Sequence, residues 1–538
     1  MFYRAFIILM ISLLITAGTL AQQWIRIYGG TLNTEVYSLF EHYDHGYLLS
    51  GKQYDNNYHP YGFVIKTNVN GYMQWSRSYG APSKYVNYFS SRPTMAGGFI
   101  ENGMTNMLQS NCLDPVIVKI NSCGEKEWCK IYDAPGCNAG GMDIETIQNC
   151  DYIALMNGWK SGNQEKIWLF RLDSLGEVIW SQVYATNPAL SSEISYSLTK
   201  TSDSCVVVTG EAYYPDPTCP GKSIIKVILI KVKLDGTAVF EVPWGTNNGV
   251  YSDGRLSIVD TKNNIYTSGR RARTTAPGGD SPCVFKTSKN GAPVLYKDLK
   301  TTSSLGEATT INWFQDSTMV LCAGWLGAGT DTTAVIKTDS NGNFINQKTL
   351  LLNKDDIIRA SDITYNNRII VGGPVFNDTT LNWETYAFKL TSDLEYDSVY
   401  TRPFTYDSLC PHPIVSDTVP LDDCEVVIVG LDDAQQHPEK TRLHIYPNPA
   451  GEQVNIVMPQ YLVRQNQGSI LSSTTTLFRW DKTRLDILST TGKLTFNQEV
   501  PKPQTTVHIN TSAWPAGMYF ARVVFMNESV AEGKLVVD

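Results

Sequence analysis

GFVIKTNVNGYMQWSRSYG, residues 62–80, is the stretch whose reading decides the fold. An apolar run, Phe63, Val64 and Ile65, ends on Lys66. An Asn-rich turn closes on Gly71, and a second run is anchored by Trp75 and Tyr79. Period-two apolarity on both sides of an Asn/Gly turn predicts a β-hairpin, because Gly takes the positive φ of the turn without steric cost. The pattern returns as VIVKINSCGEKEWCKIYD from Val116, WLFRLDSLGEVIWSQVY from Trp168, LIKVKLDGTAVFEVPWG from Leu229, CVFKTSKNGAPVLYKDL from Cys283, AVIKTDSNGNFINQKTL from Ala334 and YAFKLTSDLEYDSVYT from Tyr386.

The basic residue before each turn serves as a ruler: Lys66, Lys119, Arg171, Lys231, Lys286, Lys337 and Lys389, at intervals of 53, 52, 60, 55, 51 and 52. A period near 50 residues is that of propeller blades. In each unit four strands can be placed. In the first they are 35–42, 46–52, 62–66 and 73–79, here called a to d. The b strands end on Gly, as in YLLSG, VVVTG, IYTSG, VLCAG and IIVGG. WIRIYGG from Trp24 matches WSRSYGA from Trp75, pairing Trp24 with Trp75, Arg26 with Arg77, Tyr28 with Tyr79 and Gly29 with Gly80. The chain thus supplies a d strand before its first full unit, the offset by which a circular array closes without leaving two exposed edges. A second d strand, at residues 395–401, competes for the same place, and the sequence leaves the choice open.

The chain of 538 residues carries 44 basic and 52 acidic side chains, net charge -8, with no basic stripe. Nucleic acid and anionic membrane surfaces are therefore not expected partners. Residues 1–21 read as a secretory signal: Arg4 is the positive n-region, residues 6–17 are the apolar core, and cleavage is expected between Ala21 and Gln22. The apolar run is shorter than the ~20 residues of a membrane span, so no transmembrane helix is expected in the mature protein. The eleven cysteines of an exported chain point to disulfides. Residues 402–430 break the repeat and read as a closure or exit segment stapled by Cys410 and Cys424, with CEVVIVG resembling one more b strand. Cys123, Cys129, Cys137 and Cys150 read as structural disulfide partners, as does a Cys205 to Cys219 pair. The expected organisation is a signal peptide at 1–21, a seven-bladed β-propeller of four-stranded antiparallel blades at 22–401, the segment 402–430, a polar linker at 431–442, and a small Ig-like β-sandwich at 443–538.

The last segment alternates short strands with Pro and Gly turns and lacks Cys. Tyr446-Pro447-Asn448-Pro449, the turn around Gly492, Gly517 followed by Tyr519, and the terminal Lys534-Leu535-Val536-Val537 resemble the type A C-terminal sorting domain of the type IX secretion system of Bacteroidetes-type bacteria. The resemblance implies partners: the Sec machinery, the type IX translocon and a cell-surface sortase that cuts near 431–442. It also implies a secreted or outer-surface location. The Ser/Thr/Gln-rich insertion 460–483 departs from the family pattern. The repeats resemble propeller repeats of exported proteins carrying this tail, which implies fold only.

Motifs of catalysis are missing. Asp355–Asp356 and Asp432–Asp433 are adjacent pairs that point apart. The seven His make no HExxH, TDSNGN at Thr338 lacks a full calcium loop, and GxSxG and a P-loop are absent. No catalytic residue, metal or cofactor is predicted. The b-to-c connections read as long loops on one face, where ligands are expected to bind. There Tyr54, Tyr58, Tyr61, Tyr213, Tyr214 and Trp325 could stack on a glycan or grip a protein, and Arg270 and Arg271 could attract a carboxylate or phosphate. The sequence therefore predicts a non-catalytic binding protein. The alternative is a propeller enzyme, a polysaccharide lyase or glycoside hydrolase, whose residues converge at the channel mouth on folding.

Overall fold

In a computed structural model the described residues are 24–537 except 110–111, 134–138, 161–163, 185–191, 216–222, 245–251, 273–279, 300–305, 315–316, 325–332, 351–356, 430–440, 458–482, 490–492, 501–505 and 526–527. The expected signal peptide, its Ala21–Gln22 junction, most of the linker and nearly all of the insertion lie outside them. The chain divides into two compact units between Ala434 and Gln435.

Among the described residues, the first unit is built of seven sheets of the same plan. The founding hairpin belongs to sheet one, with strands Thr34–Glu41, Tyr47–Tyr54, Pro60–Thr67 and Met73–Gly80 in that order, all antiparallel. Sheets two to six repeat it, their inner a strands being Val86–Pro93, Gly140–Thr146, Ser192–Lys200, Ser252–Val259 and Ala308–Phe314. Sheet seven starts at Ala360–Ile363 and takes its fourth strand from Ile25–Tyr28, which pairs with Asn382–Leu390. The competing d strand at 395–401 does not form. Only isolated bridges are made there, among them Leu390 to Tyr396, because the place is already filled and Trp24 N–H donates to Asp397 O. The seven a strands touch one another in sequence, and the seventh touches the first.

Burial follows the same cycle, with one apolar cluster between each pair of neighbouring sheets. Across four of these joints the repeat signature acts as a latch. Tyr28, Tyr79, Tyr132 and Tyr184 each donate a hydroxyl hydrogen to the carbonyl of the next sheet's turn glycine, Gly71, Gly124, Gly176 and Gly236, at 2.6–2.9 Å. Trp24, Trp128 and Trp180 add indole donors to Val69, Ser174 and Leu234 carbonyls. Each such bond is worth about 1 kcal/mol net. Those glycines have φ of +72 to +88°, the turn requirement read from the sequence. The ruler cations are also structural: Lys66, Arg171 and Lys231 pair with Asp44, Asp151 and Asp203 on the a-to-b turns of their own sheets.

The segment 402–430 corrects the sequence reading. It is a strap that adds a fifth, outer strand to two sheets: Thr418–Pro420 runs parallel to Met73–Gly80, and Glu425–Ile428 parallel to Lys126–Asp133. CEVVIVG is thus no b strand. The strap's disulfides are Cys123–Cys410 and Cys129–Cys424, not Cys410–Cys424. Parallel pairing on two different sheets carries the two strap cysteines to separate partners. Cys205 is a buried free thiol and Cys150 an exposed one, against the pairings expected for them, whereas Cys112 is disulfide-bonded. Cys137 and Cys219 lie outside the described residues.

The second unit holds a five-stranded and a three-stranded sheet over one core that includes Val454, Ile456, Leu485, Ile487, Val523 and Leu535. Asn448 ties the Tyr-Pro-Asn-Pro turn to the last strand, Glu528–Val537: its amide donates to Lys534 O and its oxygen accepts from Val536 N–H. Tyr519 donates to Pro515 O. Tyr446 is half-exposed beside two cis peptides, Tyr446–Pro447 and Asn448–Pro449; Gly517 opens its strand; Lys534 is exposed. Gly492 lies outside the described residues.

Candidate functional site

A β-bulge recurs in the inner strands. In sheets one to four and six the a strand carries one extra residue against strand b: Tyr37, Phe89, Met142, Tyr196 and Thr309. Sheet five carries two, Arg255 and Leu256. In sheet seven Ile357 N–H donates to Pro374 O and Arg359 N–H to Gly372 O, which makes Arg359 the equivalent residue. A bulge re-aims a side chain. At these positions Tyr37, Phe89, Met142, Tyr196, Arg255, Thr309 and Arg359 are partly exposed, although the residue before each is buried. All seven positions are equivalent places on the a strands, which follow one another around the cycle.

This geometry explains the glycine read from the sequence as the end of strand b, which lies inside the longer strand of the structure. A Cβ on Gly51, Gly103, Gly210, Gly269 or Gly373 would stand 1.8–2.0 Å from a carbonyl oxygen of the bulged strand. Gly269→Ala is expected to lower stability by about 2 kcal/mol or more, the cost of forcing backbone apart, read as a drop in the urea midpoint. An unchanged midpoint would refute the bulge as the reason for the glycine.

Neighbouring bulge residues touch. The Arg359 guanidinium lies 5.7 Å from the Tyr37 ring centroid, Tyr37 meets Phe89 edge-on at 5.2 Å, and Arg255 lies 3.9 Å over Tyr196. Around Tyr196 the polar groups converge. Tyr196 and Tyr213 both donate to Glu211 Oε1 at 2.9 Å. Arg255 binds Glu307 and stands 3.7 Å from Asp253, which also accepts from Arg270 Nε at 2.6 Å. Lys166 binds Glu193. Burial pushes Glu193 up to about 7 against the pull of Lys166. Burial and the charge of Glu211 push Glu165 up to about 7. Glu211 is raised too, by burial and then by Asp253. Burial and Glu211 hold Tyr213 far above its ordinary range, and burial does the same for Tyr196 against Arg255, so both stay phenols at neutral pH. The cluster can donate and accept hydrogen bonds at once, but its phenols are held protonated.

Several residues singled out in the sequence lie on strands, not on long loops. The QYDNNYHPY connection is a short turn: Tyr54 ends one strand, Tyr61 is the second residue of the next, against Gly80, and Tyr58 is 76% exposed at φ +61°. Tyr213 and Tyr214 belong to Cys205–Pro215, and Arg270 and Arg271 to Ile265–Ala272. The strands run further than the apolar residues alone mark out. Tyr213 and Arg270 join the Tyr196 cluster. Lys52, paired with Glu35, lies over both Tyr54 and Tyr37. Tyr214 carries Lys226 on its ring and Arg271 lies over Tyr296. Trp325 is outside the described residues. The sequence reading missed Tyr37, Phe89, Tyr196, Glu211, Arg255 and Arg359. An aromatic-Ser pair early in strand a, Tyr37-Ser38, Phe89-Ser90 and Tyr196-Ser197, was the available signal.

Among the described residues, the one set of His, Cys, Asp or Glu spaced for a metal is Cys123, Cys410 and His412. Its two sulfurs are bonded to each other, which consumes the site. A pocket of about 520 Å³ beside Asp203, Cys205 and Lys231 holds a thiol that burial raises, so it offers no ready nucleophile. Glu101, fully buried and bonded to Ser91, is structural: burial pushes it up to about 8 against Ser91, Ser50 and Arg92. Its folded value exceeds the unfolded one, so stability falls as pH rises between about 4.5 and 8. Glu101→Gln is expected to stabilise at pH 8–9 by on the order of 2–4 kcal/mol and to flatten that slope, measured by thermal unfolding across pH. An equal loss at every pH would refute this.

The inner strands and their bulge residues define an all-β protein of propeller-like architecture. Residues 444–538 match the family model of the secretion system C-terminal sorting domain. The chain thus ends in the sorting domain of the type IX secretion system and is directed to the medium or the outer cell surface, in interaction with that machinery. No helix of the described residues is long and apolar enough to cross a membrane. No curated protein matches the chain. Among solved structures, it resembles a polysaccharide lyase, the PL25 ulvan lyase, at TM-score 0.46 and 8% identity over 68% of this chain and 96% of that one. It also resembles the polysaccharide lyase Uly1, at 0.43 and 6% over 66% and 90%, and a protein of unknown function from Bacteroides caccae, at 0.35 and 10% over 54% and 90%. At such identity these likenesses transfer no activity.

Proposed function

We propose that this is a seven-bladed β-propeller binding protein of the bacterial exterior, delivered by its sorting tail, with its ligand site at the mouth of the central channel. The observation that carries the reading is the set of seven inner-strand bulges, which spend backbone regularity to present Tyr37, Phe89, Met142, Tyr196, Arg255, Thr309 and Arg359 together. Packing alone gives no reason for partly exposed aromatic or cationic side chains at five of the seven equivalent places, Tyr37, Phe89, Tyr196, Arg255 and Arg359. The ligand is a glycan or a protein surface. Residues 1–21 act as the Sec signal, 443–538 fold as an Ig-like β-sandwich, and a sortase cuts near 431–442. The test is a glycan and protein array probed with residues 22–430 and with a Tyr37→Ala/Tyr196→Ala variant. A ligand whose signal the variant loses is expected, and equal binding by both proteins would refute the site.

One observation favours a second reading. Tyr196, Tyr213, Glu211, Asp253 and Arg255 converge as an acid/base site at a channel mouth would, which suits a polysaccharide lyase or glycoside hydrolase. Polysaccharide cleavage abolished by Glu211→Gln, with binding retained, would establish it in place of the first.

A further inference from the structure

Resting on the channel-mouth reading, the geometry points to a more particular assignment: we propose that Arg359, Tyr37 and Phe89 form a subsite for a sugar ring bearing an oxyanion, a carboxylate or a sulfate ester. The two arginines of the bulge set differ in what holds them. Arg255 has its charge matched by Glu307 and Asp253. Arg359 makes no ion pair among the described residues, and its Nε is buried without an acceptor. Among the described residues its side chain lies over the face of Tyr37. A half-buried guanidinium with open donors is completed by a planar or tetrahedral oxyanion that accepts from two N–H groups at once.

The ring beneath it is held in place. Tyr37 Oη donates to Glu35 Oε2 at 2.7 Å, Lys52 lies 5.7 Å from the ring centroid and pairs with Glu35 at 3.1 Å, and Phe89 abuts the ring edge. Around the Tyr37 ring Arg359 and Lys52 stand against Glu35, a surplus of one positive charge. The Tyr196 side is richer in acid, with Glu165, Glu193, Glu211, Asp253 and Glu307 against Lys166, Arg255 and Arg270. An anionic sugar is therefore expected on the Arg359 side of the mouth, with its apolar face on Tyr37 or Phe89.

Titration calorimetry of the mature chain with oligogalacturonate, a sulfated galactan oligosaccharide and neutral cello-oligosaccharide of equal length tests this. At least one anionic probe is expected to bind about tenfold more tightly than the neutral one and to weaken as salt rises. Arg359→Gln is expected to remove that advantage, about tenfold, while Arg359→Lys retains part of it. The carboxylate and sulfate arms separate the two sources of the oxyanion. Equal binding of anionic and neutral probes, or an unchanged affinity in Arg359→Gln, overturns the assignment but leaves the channel-mouth reading standing if Tyr37→Ala still abolishes binding. Failure of all three probes overturns the assignment, and an array ligand that is an acidic peptide does the same. Salt dependence measured on the unaltered protein keeps the test decisive should a variant fold poorly.

Discussion

A mature chain shortened to begin at Gly29, lacking residues 22–28, is expected to be recovered as aggregate, or as a species with little cooperative unfolding. Ile25–Tyr28 supplies the outer strand of sheet seven, in register from Ile25 with Phe388 to Tyr28 with Thr385. Its removal bares the edge of Asn382–Leu390 to other chains. It also deletes Trp24, fully buried between sheets seven and one, and the Tyr28 latch to Gly71. Trp24→Ala alone is expected to cost about 3–5 kcal/mol. The full deletion then approaches the 5–15 kcal/mol by which a whole domain is stable. Size-exclusion chromatography with far-UV circular dichroism checks this. A monomeric, cooperatively melting product would refute a closure that depends on the leading strand. A peptide of residues 22–30 added in trans should restore folding in part, since the missing pairing is noncovalent.

How much was legible in the sequence follows from the range of the forces concerned. Hairpins are local, so Asn68, Gly71 and the alternation around them revealed the turn and its strands. The match of Trp24 to Trp75 gave the offset strand, because equivalent strands meet equivalent neighbours. What was not legible joins residues far apart in sequence. Cys123 meets Cys410 across 287 positions and Cys129 meets Cys424 across 295, and no spacing rule reaches that far. The site was hidden for a different reason. A bulge has no residue type of its own; the glycine across from it, as at Gly51 and Gly269, and the aromatic-Ser pairs at Tyr37, Phe89 and Tyr196 mark its place without naming its role. Arg359 has no local motif at all. The polar strand ends Tyr213 and Arg270 read as loop because their burial comes from the neighbouring sheet, a tertiary override of local pattern.

Lys66→Ala is expected to destabilise the chain by about 3–5 kcal/mol at pH 7, the cost of leaving a buried charge without its partner. Lys66 is fully buried, and its ammonium donates to both oxygens of buried Asp44 at 2.6 and 2.7 Å. The strap completes the cluster: Asp407 Oδ1 lies 3.9 Å from Lys66 and Asp407 N–H donates to Asp44 Oδ2. Burial by itself would raise Asp44, yet His42 and Lys66 outweigh it and hold the carboxyl well below the usual range. Its folded value is depressed, so the stabilisation is present above about pH 4 and is lost as pH falls below it. In Lys66→Ala the cation is gone and Asp44 rises instead, so that variant's deficit should be largest at neutral pH and shrink toward pH 4. Lys66→Met/Asp44→Asn should recover much of the loss, because apolar and neutral groups replace the pair without an orphan charge. Denaturant midpoints at pH 4 and 7 for wild type, single and double variants decide the matter. A deficit independent of pH, or a double variant no better than the single, would show that Lys66 acts through packing of its methylene chain and not through Asp44.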